Sequence, residues 1–220
     1  MKKWITGVVF ACAGYAQPPV MTPEQIIAYL ARDLRGVPFP GAASGISAED
    51  LNRARPAREA VSVFQVQHHP PKQARQALAR ARKLIHAGRH AEAVSELDGA
   101  VQIDPAFGDA HQFLGVEYGR TGRLAEAAAS FRRLLVLDPD NWRAHYNLGL
   151  ALLLSGDFAN AETSARRALQ LAPTDPEANL LFGCALSVRP GMLTQAVPYV
   201  RFAARTMPSA KQLLRQIDRQ

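Results

Sequence analysis

The chain has 220 residues and a mass of 24.0 kDa, with 48% hydrophobic and 20% charged residues. That is enough for one or two packed domains and excludes a largely disordered polymer. The net charge is +7 and the pI about 9.8, carried by 21 arginines and five lysines. They are dispersed along the sequence and form no basic run of about five to eight residues, which argues against a nucleic-acid patch.

At the N-terminus Lys2-Lys3 precedes an apolar stretch from Trp4 to Ala13, with small residues at Gly14 and Ala16. The order of charged start, short apolar run and small residues resembles a bacterial secretory signal cleaved after Ala16, with Ala13 as an alternative site. The run is too short to span a membrane, which takes about 20 apolar residues. Val9-Phe10-Ala11-Cys12 is a poor lipoprotein box because Phe10 stands where small neighbours are usual, so a lipid anchor at Cys12 is not expected. The expected location is periplasmic or secreted. Loss of Cys12 with the leader leaves Cys184 alone, expected as a small buried hydrophobe.

Residues 17–73 form a separate segment. Thr22-Pro23-Glu24-Gln25 reads as a helix start, and Ile26, Ile27, Leu30 and Leu34 fall on one face before Gly36 ends it. Glycines and prolines from Gly36 to Gly45 indicate a loop, and Ser47-Ala48-Glu49-Asp50 a second cap. Val61–Gln67 is extended or helical, and His68-His69-Pro70-Pro71 is expected to be a solvated linker, with no third ligand for a metal.

From Ala74 to Pro208 the sequence repeats with a period of about 34 residues. Gly115, Tyr118, Gly122, Ala127, Phe131 and Pro139 return as Gly149, Leu152, Gly156, Ala161, Ala165 and Pro173. Ala81, Gly88, Ala93, Leu97 and Pro105 make an earlier copy, and Gly183, Leu186, Pro190-Gly191, Ala196, Val200 and Pro208 a later one. Apolar positions three and four apart predict two helices per copy, as in Trp142–Ser155 and Asp157–Leu171. Gly88, Gly122 and Gly156 fall in the turns between them. Gly115, Gly149 and Gly183 lie inside first helices, where glycine costs roughly 1 kcal/mol against alanine. Close helix approach, with Ala93, Ala127 and Ala161 as the small partner surface, is the expected offset. Pro198 is expected to bend or delay the last second helix.

Leu114-Gly115, Tyr118, Ala127, Phe131 and Pro139, with Leu148-Gly149, Leu152, Ala161, Ala168 and Pro173, resemble the tetratricopeptide repeat. The resemblance implies an all-α, right-handed α-solenoid of about four helix-turn-helix repeats, at 74–107, 108–141, 142–175 and 176–208. The first copy departs from the pattern with Arg80-Ala81, and the fourth carries an extra residue. A capping helix over 209–220, started by Ser209, closes the array.

The resemblance further implies that first helices line a concave face. The partner-binding residues expected there are Arg75, Arg82, His86, Gln112, Val116, Arg120, Arg143, Tyr146 and Leu150. Leu78, Asp109, Leu153, Glu177, Leu180 and Cys184 map to the same face, with Leu150, Leu153 and Leu180 better read as packing between helices. The early half is basic and the later half apolar, which suits a peptide with an acidic and an apolar end. The carboxylate clamp of some relatives is not predicted: Asn147 alone matches it, and Val116 and Leu150 stand where polar amides belong.

No phosphate loop, nucleophile elbow or Cys-x-x-Cys is present, so no catalytic residue, metal site or cofactor is predicted. His111 and His145, equivalent in adjacent repeats, read as structural. Glu92, Glu96, Glu126 and Glu162 read as polar-face or helix-start residues. The expected function is a non-enzymatic scaffold binding a protein or peptide, without nucleic acid and without a membrane span. An oligomerising component of an envelope assembly is the alternative.

Overall fold

Small residues at helical spacing decide the architecture, because they let successive helices lie close along their whole length. The computed structural model describes residues 68–218. These form α1 (Lys72–His86), α2 (His90–Ile103), α3 (Gly108–Arg120), α4 (Leu124–Leu137), α5 (Trp142–Ser155), α6 (Phe158–Leu171), α7 (Pro176–Ser187), α8 (Leu193–Ala203) and α9 (Pro208–Ile217). The expected leader, the expected cap at Thr22 and the Val61–Gln67 stretch lie outside the described residues.

The helices pair as α1–α2, α3–α4, α5–α6 and α7–α8, each pair packs on the next, and α9 closes on α8. The first helices α3, α5 and α7 also touch in succession, as stacking in register requires. The result is an all-helical solenoid of four pairs and a terminal helix.

The interior glycines sit where the helices are tightest. A methyl group on Gly115 would lie 2.7 Å from the Phe131 ring, and one on Gly183 would lie 2.9 Å from Val200 Cγ2. At Gly149 it would meet Leu181 of the next repeat at 3.1 Å and the Ala165 backbone nitrogen at 3.2 Å. Close approach is therefore the reason for these glycines, but the nearest groups are Phe131 at Gly115 and Leu181, Ala165 and Ser164 at Gly149, not the expected Ala127 and Ala161; Gly183 faces Val200 and the Ala196 carbonyl. In the turns Gly88, Gly122, Gly156 and Gly191 all take the left-handed conformation, with φ between 73° and 85°.

Local capping agrees with the sequence where side chains carry it. Asp175 Oδ1 accepts from the backbone N–H groups of Glu177 (2.9 Å) and Ala178 (3.0 Å), with Pro176 in the first turn. At the array ends the boundaries move. Helix α1 begins at Lys72 because Pro71, at φ −52° and ψ 148°, occupies its cap. Helix α9 is capped by Met207 and starts on Pro208, not on Ser209. Helix α8 begins at Leu193 and runs through Pro198, whose ring lies on the exposed side.

A repeated device ties each first helix to the turn before it. His111 and His145 each donate Nε2–H to the carbonyl six residues earlier, on Pro105 and Pro139, at 2.9 Å. Asn179, the next equivalent, does the same through Nδ2 to Pro173 at 2.9 Å. Burial pushes the His145 ring below its usual pKa, with the Pro139 carbonyl opposing, and Arg167 adds to the lowering. The two histidines are structural.

One carboxylate departs from the polar-face expectation. Glu162 is buried and accepts from Arg166 Nη2 on its own helix (2.5 Å) and from Arg189 Nη1 after α7 (2.7 Å). Burial works to raise its pKa, but the guanidinium bonds of Arg189 and Arg166 outweigh it and hold the carboxyl below the usual range. A carboxyl lowered in the folded state stabilises above its unfolded pKa, and that stability is lost as pH falls through the folded value. Calorimetry from about pH 6 to pH 3 is expected to show a steeper fall in Tm for the parent than for Arg189→Leu, within the acidic window set by that carboxyl. Superimposable Tm profiles would rule the clamp out. Glu117, for which the sequence offers no reading, is also buried.

Candidate functional site

Helical geometry places every third or fourth residue of the first helices on one side, and the 34-residue period lines those positions up across repeats. One row runs Arg75, Asp109, Arg143, Glu177; a second Ala79, Phe113, Asn147, Leu181; a third Arg82, Val116, Leu150, Cys184; a fourth His86, Arg120, Leu154, Val188. The tetratricopeptide resemblance implies that this side is the concave one, and the rows are called the trough below.

Its two ends differ. At the N-terminal end a depression of about 440 Å³ is lined by Pro70, Arg75, Leu78, Ala79, Arg82, Phe107 and Asp109. Arg75, Arg82, His86 and Arg120 are exposed, and Gln112 and Arg143 are half-buried. The Arg82 guanidinium lies 4.7 Å from the centroid of Phe113, which holds its flat face over the floor. Arg143 stacks similarly on Trp142 at 4.8 Å.

The C-terminal end is apolar and shut away from solvent. Val116 and Tyr146, expected as binding residues, are buried, as is Cys184; Leu150, Leu153 and Leu180 are buried too, in keeping with their reading as packing between helices. The exposed positions on these rows are thus at the basic end, and Val116, Leu150 and Cys184 are buried. Burial, followed by the nearby Glu177, Asp175 and Cys184, raises the Tyr146 phenol well above its usual pKa. Burial alone pushes the Cys184 thiol up to about 12, so it is an inert hydrophobe at neutral pH. Glu177 is raised by burial and then by Asp175, against Arg143. Within the floor the buried Asn147 Oδ1 has no hydrogen-bond partner among the described residues.

The linker also differs from expectation. His68 Nε2 lies 2.7 Å from Asp104 Oδ2, and Asp104 ends α2, so the chain entering the first repeat is fastened to it. A histidine beside two prolines gave no sign of this, because its partner is 36 residues away. His90 likewise bonds Glu117 of the next repeat. Among the described residues no group of three or more His, Cys, Asp and Glu side chains could hold a metal ion. No described helix is long and apolar enough to cross a membrane.

Residues 114–176, spanning α3 to the start of α7, match the family model of the tetratricopeptide repeat. The stacked helix pairs thus have the fold of a tetratricopeptide-like solenoid. Among solved structures the repeats resemble MamA, residues 41 to the end, from Desulfovibrio magneticus RS-1, at 20% identity and TM-score 0.61, over 66% of this chain and 84% of that one. They also resemble YrrB, described as a tetratricopeptide repeat protein with an unusual peptide-binding site, at 24% identity and TM-score 0.55, over 68% and 77% of the two chains. A third likeness is the second such domain of human RPAP3, solved with an HSP70 peptide, at 19% identity and TM-score 0.51, over 53% and 98%. At these identities the likeness establishes the fold. No curated protein matches the chain.

Proposed function

We propose that the repeats are a non-enzymatic scaffold that holds a partner's peptide along the trough, its acidic portion on Arg75 and Arg82 and its apolar portion over the floor. The observation that carries this is the joining of the two ends in one register: the row that exposes Arg82 continues as Val116, Leu150 and Cys184. Guanidinium groups recognise carboxylates by paired N–H donors, and a stacked arginine is already partly ordered for that contact. YrrB and the RPAP3 domain lend support as repeats whose descriptions include a peptide site or a bound peptide.

The test is fluorescence anisotropy with a labelled eight-residue peptide, acidic over one half and leucine-rich over the other. Saturable binding that weakens at least tenfold in Arg75→Glu/Arg82→Glu, and weakens with salt, is the expected result. Absence of saturable binding, or equal affinity for the charge-reversed variant, rejects the reading. The leader supports action outside the cytoplasm. N-terminal sequencing of the protein recovered from the producing cell's envelope fraction is expected to begin at Gln17, and an intact Met1 would count against export.

A further inference from the structure

On each second helix, the residue that follows the one packed on an interior glycine is carried about 100° round the axis, out of the interface. In the second, third and fourth repeats the packed residues are Phe131, Ala165 and Val200, and their followers are Arg132, Arg166 and Arg201. All three arginines are exposed, as are Arg133, Arg167 and Arg205 beside them. The sign belongs to these repeats: the equivalent position on α2 is Asp98, on a helix that also carries Glu92 and Glu96. From Ala178 to Ile217 the sequence contains no Asp or Glu. Members of the row lie one repeat apart, so no basic run in the sequence announces it.

Two further features set the row apart from an ordinary solvated face. In its middle, Arg166 shares the single carboxylate Glu162 with Arg189, and Arg167 is paired with Asp140. At its ends, Arg132, Arg133 and Arg201 have no carboxylate partner among the described residues. The row is thus ordered at its centre and open on both sides of it. Val136, one turn beyond Arg132 and Arg133 on the same face of α4, is 73% exposed, the most exposed large hydrophobic among the described residues.

We propose that this side of the second to fourth repeats is a further interaction surface, whose partner is an acidic, Asp- and Glu-rich segment of another protein lying across α4, α6 and α8. Each guanidinium can take a carboxylate through paired N–H donors, and an apolar side chain of the same segment covers Val136. A phosphate backbone leaves that valine uncovered. Single-stranded nucleic acid also stacks its bases on aromatic faces, and no exposed residue of α4, α6 or α8 is aromatic. The half-buried Phe202 ring lies under Arg205 at 5.3 Å, and Tyr199 is set edge-on to Phe182 at 4.9 Å. A bilayer is flat, whereas solenoid repeats turn one on the next, so lipid meets few rungs of a row that a flexible chain can follow. The surface uses the other helix of each pair from Arg75 and Arg82, and it does not depend on the peptide-scaffold reading above.

The test is fluorescence anisotropy on the full chain with a labelled peptide of about twelve residues, on the order of 40 Å when extended, alternating Glu and Ser around one central leucine. Saturable binding is expected, weakened at least tenfold in Arg132→Glu/Arg201→Glu and less than twofold in Arg75→Glu/Arg82→Glu, which makes the same change in net charge. The circular dichroism melt should be unchanged in Arg132→Glu/Arg201→Glu, because both side chains are exposed and unpaired, and the neutral Arg132→Gln/Arg201→Gln should also weaken binding. A photoreactive residue at position 136 should crosslink to the peptide. Absence of saturable binding overturns the proposal, as does equal weakening by the two charge-reversed variants, which would mean attraction to net charge without a site. Weakening by Arg75→Glu/Arg82→Glu alone also overturns it and leaves the first-helix reading intact. Tighter binding of an oligothymidylate of matched length, or of phosphatidylglycerol vesicles, lost in Arg132→Glu/Arg201→Glu, gives the row to a nucleic acid or a lipid surface and overturns the acidic-segment assignment.

Discussion

Phe131→Ala is expected to lower stability by about 3–5 kcal/mol, read as a fall in the urea midpoint of the repeat array. The ring is fully buried and lies against the backbone of Gly115, where a methyl group would approach within 2.7 Å. Removing it deletes the transfer energy of a phenyl group and leaves a cavity between α3 and α4 that two hydrogen-bonded helices cannot collapse to fill. The companion substitution makes the claim sharper. Gly115→Ala alone is expected to cost about 1–3 kcal/mol, because the ring has to shift against a packed interior. In the Phe131→Ala background the same change meets no ring, and the better helix propensity of alanine should make it favourable by up to about 1 kcal/mol. This reversal of sign is the signature of a direct contact in a double-mutant cycle. Additive effects would mean that Gly115 is retained for some reason other than the approach of α3 to α4. Because a repeat array unfolds in coupled units, the comparison has to use midpoints from two probes that agree.

The same pair shows how far the sequence could be read. A glycine recurring at 34-residue intervals inside a helix has a cost that only a close contact offsets, so the stacking of helices followed from the pattern itself. The turn glycines and the Asp175-Pro176 helix start were equally legible, since each is a local requirement met by a local residue. The group facing Gly115 was less so: Ala127 and Phe131 share a face, and only the ring's reach decides that Phe131 makes the contact. Long-range polar pairs left no trace. Glu162 reads as a polar-face carboxylate until Arg189, 27 residues on, is brought beside it. His68 reads as linker until Asp104 is placed next to it. On the first helices Arg75, Arg82 and Arg120 are exposed and Arg143 is half-buried, whereas Val116 and Tyr146, read as binding residues, are buried, and Leu150 is buried as its reading as a packing residue requires. Register tells which side a residue points to and says nothing of what lies over that side.

Loss of a single imidazole is expected to be nearly as damaging as loss of the phenyl ring. Glu117 is fully buried near the end of α3, and its Oε2 accepts from His90 Nδ1 at 2.9 Å, with Arg120 Nε at 3.4 Å. Its other oxygen, Oε1, has no hydrogen-bond partner among the described residues. A carboxylate in that position depends heavily on the short bond, since the remaining contact is long and comes from a partly exposed side chain. His90→Ala therefore leaves a buried acid nearly alone, and breaking such a pair costs about 3–5 kcal/mol. Replacing both partners, as His90→Leu/Glu117→Leu, removes the polar requirement and should return most of that stability. His90 opens α2 and Glu117 belongs to the following repeat, so the bond spans the junction between the first two helix pairs. Hydrogen exchange in His90→Ala should accelerate first in α1 and α2, ahead of α5 to α8, as the terminal pair detaches. If His90→Ala stays within about 0.5 kcal/mol of the parent, the junction does not rely on this bond, and Glu117 must be held by Arg120 and the helix backbone instead.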